Sequence, residues 1–182
     1  HDTVRRQRQM CIRDSVYNGV LAGLVSITSP CAVVSPWGAI LVGAIGALVY
    51  VGASKGVKAA GIDDAVDAFA VHGACGMWGV IACGLFATPF YYGVSYYSDR
   101  ADDCAGVFFG GKASGSLAAA FACVFVILAW VGSTMGLLFG TLKATGLLRV
   151  SQEIEDAGLD DSKHGGAMSE VVSEVTIKAT EA

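Results

Sequence analysis

The sequence predicts an all-α membrane protein with about four transmembrane helices and a polar tail. Of its 182 residues, 54% are hydrophobic and only 15% are charged, and the mean hydropathy is +0.57. The 24 glycines indicate the same class, because small residues let membrane helices approach one another closely. The acidic residues behind the net charge of −4 concentrate in the loops and the tail, and a nucleic-acid partner is not expected.

The six cysteines are scattered along the chain, and at least three of them fall inside apolar runs. This pattern does not indicate a disulfide framework. We expect these cysteines to pack as small hydrophobic side chains.

Residues 1–15 are predicted to be a basic leader that is disordered or non-native, since no apolar core of signal-peptide type follows them. The next apolar run, residues 16–28, is too short to cross a bilayer at a rise of about 1.5 Å per residue. It predicts a helix whose beginning is missing or replaced.

The second and third helices have clear start signals. Ser35 and Pro36 predict the start of the second helix, because serine caps helices and proline favours their first position. The apolar run 37–53 continues it. The third helix is predicted over residues 68–87, with a cap from Asp63 or Asp64, since a carboxylate complements the positive end of a helix dipole.

Residues 90–114 predict a loop rich in Tyr, Gly and Asp, and residues 115–142 predict the fourth helix. Basic residues follow the second helix (Lys55 and Lys58) and the fourth (Lys143 and Arg149), two crossings apart. Both pairs therefore face the same side. The positive-inside rule assigns that side to the cytoplasm, together with the tail.

The third predicted helix contains one titratable residue, His72, near the start of a long uncharged run. An ionisable residue inside a membrane span is costly and marks a functional site by default. Two other interpretations are open at this point. His72 could be a buried imidazole bonded to a neighbouring helix, or it could form half of a metal site with Cys75. The span offers no further ligand cluster, so no metal site is predicted.

Three glycines recur every third residue beside His72, at Gly73, Gly76 and Gly79. They predict close packing of a neighbouring helix against this one. The same residues would also leave space next to the imidazole ring.

The chain resembles the ammonium transporter (Amt/Mep/Rh) family, most closely its plant-like branch. The matching stretches are GVLAGLVSIT (19–28), VSPWGA (34–39), DDAVD (63–67), VHGACGMWGVI (71–81) and LLRVSQEIEDAGLDDSKHGG (147–166). They lie in family order and together reach from about residue 16 to residue 166. As a set they are specific to this family.

The resemblance implies a fold of eleven transmembrane helices in a trimer, with one narrow pore in each subunit. By that resemblance residues 16–147 are the C-terminal part of the transmembrane domain, corresponding to its last four helices. Residues 148–182 would be the cytoplasmic regulatory tail. The first seven helices and the first of two pore histidines would be absent from this chain.

The resemblance also implies roles for individual residues. His72 resembles the second pore histidine, and Ala68 would line the pore one turn earlier. Asp63, Asp64 and Asp67 would cap or orient helices near the cytoplasmic mouth rather than touch substrate. The implied function is transport of ammonium or ammonia without a cofactor, and an enzyme is not expected. An ammonium sensor with little transport is the alternative.

In the tail, Ser162 occupies the place of a regulatory hydroxyl residue in the family, beside Asp160 and Asp161. We expect a kinase to act there, so that the added charge detaches the tail from a neighbouring subunit and closes the pores. The expected location is the plasma membrane. The expected partners are lipid and further subunits, as a homotrimer or a hetero-oligomer.

Overall fold

The computed structural model describes residues 2–96, 98–151, 154 and 155, without the side chains of residues 2–13, 113 and 114. The described residues divide into two units between Leu128 and Ala129. Throughout the described residues the regular secondary structure is helical, which confirms the predicted class. The α-helices found there are α1 (Asp2–Thr28), α2 (Pro36–Ala59), α3 (Cys75–Phe86), α4 (Pro89–Ser95) and α5 (Ala118–Ala144).

Helix α1 begins at Asp2, earlier than the helix predicted from residue 16, so the part of the leader that the structure describes is helical rather than disordered. The other interpretation, a non-native leader, stays a prediction. Arginine, glutamine and methionine fill all of residues 5–10, and all three rank among the stronger helix formers. Neither glycine nor proline interrupts the chain before Gly19. Local propensity therefore favours a helix across the predicted boundary. Whether residue 16 marks a domain boundary stays a prediction.

Helix α2 starts as predicted, with the Gly38 amide donating to Ser35 Oγ at 3.2 Å and Pro36 in the first position. The helix continues past the apolar run to Ala59, with Lys58 in its last turn. A basic residue at this end is favourable, because it faces the negative end of the helix dipole.

Helix α3 follows directly from a π-helical turn, Phe69–Ala74, and the two form one continuous segment, Phe69–Phe86. Asp64 caps this segment: its Oδ1 accepts the Ala68 amide at 2.7 Å, and its Oδ2 accepts the Phe69 amide at 2.9 Å. The predicted cap is therefore made by Asp64.

The predicted loop of residues 90–114 is more structured than expected. It begins inside α4, where Pro89 takes the first position and Thr88 Oγ1 accepts the Tyr91 amide at 3.3 Å. Pro89 thus starts a helix as well as following one. Two short 3-10 turns, Ser98–Arg100 and Val107–Phe109, come next. The Gly106 amide then donates to the Ala87 carbonyl at 2.7 Å, which holds the loop against the end of α3.

Helix α5 is preceded by a π-helical turn, Ala113–Leu117, that is kinked at Gly115 (φ −93°, ψ −107°). The regular helix therefore starts three residues later than predicted and ends at Ala144. Ala120 is buried. Most other side chains of the helix are exposed, including Phe125 and Trp130.

The first three long helices meet at a junction of small residues. Ser26 of α1 is fully buried there. A Cβ at Gly79 of α3 would lie 2.6 Å from the Ser26 carbonyl oxygen, and a Cβ at Gly46 of α2 would overlap Ser26 Oγ. Trp78 Nε1 also donates to the Val42 carbonyl at 3.0 Å, which joins α3 to α2. Glycine at 46 and 79 therefore permits the close approach of the three helices.

Three helical segments among the described residues are long and apolar enough to cross a membrane: Pro36–Ala59, Phe69–Phe86 and Gly115–Ala144. The sequence predicted about four. Helix α1 has 27 residues, but its first half carries the charged residues of the leader, such as Arg5, Arg8 and Arg13. Its apolar part is too short to count as a span by itself.

Candidate functional site

His72 lies in the π-helical turn that precedes α3, and its side chain is exposed. In the same turn Ala70 and Val71 are buried in the core that α1 and α2 also form. The turn thus has a packed face and an open face. We define the open face as Ala68, Phe69 and His72, all of which are exposed. The two residues predicted to line a pathway, Ala68 and His72, therefore both belong to the open face.

The three predicted packing glycines have different surroundings. Gly79 is the close-contact residue of the junction with Ser26. A Cβ at Gly76 would make only an ordinary contact of 4.0 Å with Val25 of α1. A Cβ at Gly73 would lie 2.8 Å from the ring of Phe69, in the same helical segment. Close helix packing therefore needs Gly79, while Gly73 makes room for an aromatic ring of the open face.

The three acidic residues before α3 also differ. Asp64 is the cap described above, and Asp63 is exposed. Asp67 has a left-handed backbone with φ +55°, and among the described residues it is the one non-glycine with positive φ. Aspartate is one of the few residues enriched in that conformation. Asp64 and Asp67 therefore perform separate local tasks, while Asp63 is exposed.

Asp67 is held by side chains of α2. Tyr50 Oη donates to Asp67 Oδ2 at 2.9 Å, and Ser54 Oγ donates to Asp67 Oδ1 at 2.9 Å. Lys58 Nζ lies 3.4 Å from Oδ1 and donates to Ser54 Oγ at 3.0 Å. We call these four residues the Asp67 cluster. Tyr50 and Ser54 are buried, while the Lys58 side chain is 67% exposed, so the hydrogen bonds should contribute more than the ion pair.

The environment of Asp67 favours its ionised form. Burial acts to raise the pKa of the carboxyl group, but hydrogen bonds from Ser54 and Tyr50 and the charge of Lys58 outweigh it, so the pKa of Asp67 is lowered. A cavity of about 480 Å³ opens beside the cluster, with Lys58, Asp64 and Asp67 in its lining. His72 is not among its lining residues. The Asp67 cluster and the open face are thus two separate features at one end of the span.

Sequence reasoning found Asp67 but missed its partners on α2. Tyr50, Ser54 and Lys58 are spaced four residues apart, which places them on one face of a helix. Three polar side chains in such a row, towards the end of a largely apolar helix, were a usable signal. The acidic acceptor across from them could not be assigned from sequence, because pairing between helices depends on how they pack.

Cys75 does not pair with His72. Its Sγ is buried and donates to the carbonyl oxygens of Gly46 and Ala70, at 3.4 Å and 3.3 Å, while His72 is exposed. Within the part of the chain that the structure describes, no three potential metal ligands come together. Ser162, the predicted regulatory residue, lies outside the described residues.

The apolar spans and the helical architecture define an integral membrane protein of the α-helical class. The family model described as Ammonium Transporter Family matches residues 3–169. The chain therefore belongs to the ammonium transporter family.

Several curated plant proteins are similar to this chain. Ammonium transporter 1 member 2 of Arabidopsis thaliana is 44% identical over 151 residues, which cover 83% of this chain and 29% of the relative. Ammonium transporter 1 member 1 of Oryza sativa subsp. japonica is 42% identical over 152 residues, covering 83% and 30%. Ammonium transporter 1 member 3 of Solanum lycopersicum is 42% identical over 153 residues, covering 83% and 33%. The chain thus spans about a third or less of the relatives it matches.

Proposed function

We propose that this chain is the C-terminal part of a transporter for ammonium or ammonia, and that His72 lines the transport pathway. The observation that carries the proposal is the exposed imidazole on the open face of an apolar span, in a chain of the ammonium transporter family. An ionisable side chain in such a span is costly unless it meets polar or substrate groups.

The physical problem of transport explains why a histidine suits this place. Moving NH₄⁺ whole through an apolar pore would carry a charge into a medium of low dielectric constant. If the ion loses a proton at the pore mouth, neutral ammonia can pass at much lower cost. A neutral imidazole both donates and accepts a hydrogen bond, so it can guide ammonia and relay a proton.

The expected surroundings belong to the same proposal. Lys58 in the last turn of α2 and Lys143 in the last turn of α5 support a cytoplasmic C-terminus by the positive-inside rule. The plasma membrane location and the trimeric assembly with further subunits rest on the family resemblance alone.

The proposal is tested in a chimera, in which residues 16–182 replace the matching segment of the Arabidopsis relative. It is expressed in cells without their own ammonium uptake. The chimera should transport methylammonium and carry an ammonium-dependent current. His72→Ala should lower the current by at least about tenfold, with an unchanged amount of protein at the membrane. A chimera that reaches the membrane without transporting would contradict the function, and full current in His72→Ala would exclude the histidine from the pathway.

We further propose that phosphorylation of Ser162 closes the pathway, because it adds charge beside Asp160 and Asp161. In the same chimera Ser162→Asp should reduce uptake severalfold, whereas the matched variant Ser162→Ala should leave it unchanged. Equal uptake by both variants would contradict a regulatory role for this hydroxyl group.

A further inference from the structure

We propose that Asp67 is a positioning residue, whose contacts with α2 set the direction in which His72 points. The inference rests on the proposed role of His72 and adds a requirement to it. The Asp67 cluster would fix the rotation of the π-helical turn about its own axis. Without the cluster, the residues of the open face would point in a different direction.

The first support is that both the side chain and the backbone of Asp67 are fixed. Its carboxylate takes hydrogen bonds from Tyr50 and Ser54, each at 2.9 Å. Its carbonyl oxygen accepts the Val71 amide at 2.9 Å, inside the π-helical turn. Asp67 therefore links α2 directly to the backbone of the turn that carries His72.

The second support is the unusual geometry at this point. The left-handed backbone of Asp67 lies two residues before a π-helical turn, and such turns occur frequently at functional sites. A π-helical turn closes its hydrogen bonds over one residue more than an α-helix does. If the turn relaxed into a regular helix, the residues in it would change their rotation about the axis. The direction of His72 thus depends on what holds the turn in place.

The third support is that the anchors are divided between two carboxylates. Asp64 binds the amides of Ala68 and Phe69 and so fixes where the helix begins. It binds no side chain of α2 among the described contacts. Asp67 binds that helix through Tyr50, Ser54 and Lys58, and so fixes how the turn is rotated relative to α2. Capping alone would not supply this second constraint.

The experiment uses the transporting chimera and compares Asp67→Asn with the matched control Asp63→Asn, which removes an exposed carboxylate from the same loop. Asp67→Asn should lower the maximal rate by about tenfold or more, with KM and the amount of protein at the membrane within about twofold, because a misdirected group lowers the rate more than the binding. Asp63→Asn should match the parent chimera.

Substitutions on α2 test the same contacts from the other side. Tyr50→Phe removes one donor and should lower the maximal rate by about threefold. Lys58→Met should lower it, and Lys58→Arg should restore it, since arginine keeps the charge beside Asp67. A role in stability alone would instead change the amount of protein and leave the rate per molecule constant.

A maximal rate within about twofold of the parent in Asp67→Asn would overturn the positioning role. If Asp67→Asn does not reach the membrane, unchanged rates in both Tyr50→Phe and Lys58→Met would overturn it equally. The role of His72 in the pathway is judged separately, because full current in His72→Ala contradicts that role. A loss of current in His72→Ala, together with a maximal rate of Asp67→Asn equal to that of the parent, contradicts only the positioning role of Asp67.

Discussion

The two faces of the third span differ, although both belong to one apolar segment. On the packed face Val71, Cys75 and Gly79 are buried among the residues of α1 and α2. On the open face Ala68, Phe69 and His72 are exposed. Apolar character identifies the segment as a span but does not say which side of it packs. The difference between the faces suggests that substitutions on the packed face act on stability, and those on the open face act on transport.

The largest expected effect on stability belongs to Gly79 on the packed face. Gly79→Leu would push a side chain into the Ser26 carbonyl, which already lies 2.6 Å from the position of a Cβ. We expect a loss of about 3 kcal/mol in the free energy of unfolding, because backbone cannot move aside cheaply. The measurement is the thermal unfolding of purified protein in detergent.

Gly136 of α5 provides the matched control, because a Cβ there would meet nothing within 4 Å. Gly136→Leu should be neutral or slightly stabilising, since leucine favours a helix more than glycine does. Equal destabilisation by both variants would show that close packing at Gly79 does not determine the effect of the substitution.

A smaller effect is expected from acid acting on Asp67. Its pKa is lowered in the folded protein, so its contribution to stability is complete above the usual carboxyl value of about 3.9 and is lost as the pH falls through the lower, folded value. At pH 7 the free energy of unfolding of the unsubstituted protein should exceed that of Asp67→Asn by about 1 kcal/mol. This difference corresponds to about 2–4 °C in melting temperature. The gap should close on acidification below the usual value. A difference in stability that does not change with pH would mean that the charge of Asp67 does not contribute to it.

The smallest effect on stability is expected on the open face. His72→Ala should change the free energy of unfolding by less than about 0.5 kcal/mol, because an exposed side chain away from special contacts contributes little. The same variant should lower the current of the chimera by at least about tenfold. A large loss of stability would show that His72 supports the fold, and its effect on current could then not be attributed to the pathway.

Local signals in the sequence were sufficient for much of the fold. The cap and proline at Ser35 and Pro36, and the carboxylate before α3, depend on neighbours within a few residues, and the structure confirms them. The extent of α1 was missed because the charged leader was taken for a flexible end, although its residues favour a helix. Similarly, the role of Pro89 at the start of α4 was missed because proline both ends and begins helices.

The candidate site could be predicted only in part. The isolated His72 stands out in an apolar run, and the structure gives its side chain as exposed, but its place in a transport pathway stays a prediction. In contrast, the regular spacing of Gly73, Gly76 and Gly79 gave no means to say which glycine touches another helix. That depends on the rotation of the span, which the π-helical turn changes. The partners of Asp67 were missed for the same reason.

The left-handed backbone at Asp67 has a consequence for which residues this position tolerates. The backbone angle favours glycine, asparagine and aspartate, because other side chains adopt it at a cost. The contact with Lys58 and the hydroxyl groups of α2 calls for a carboxylate, which only aspartate and glutamate offer. Aspartate is the one residue that meets both demands. In a library of all twenty residues at position 67, we therefore expect selection for transport to return aspartate almost alone, with asparagine as the nearest survivor.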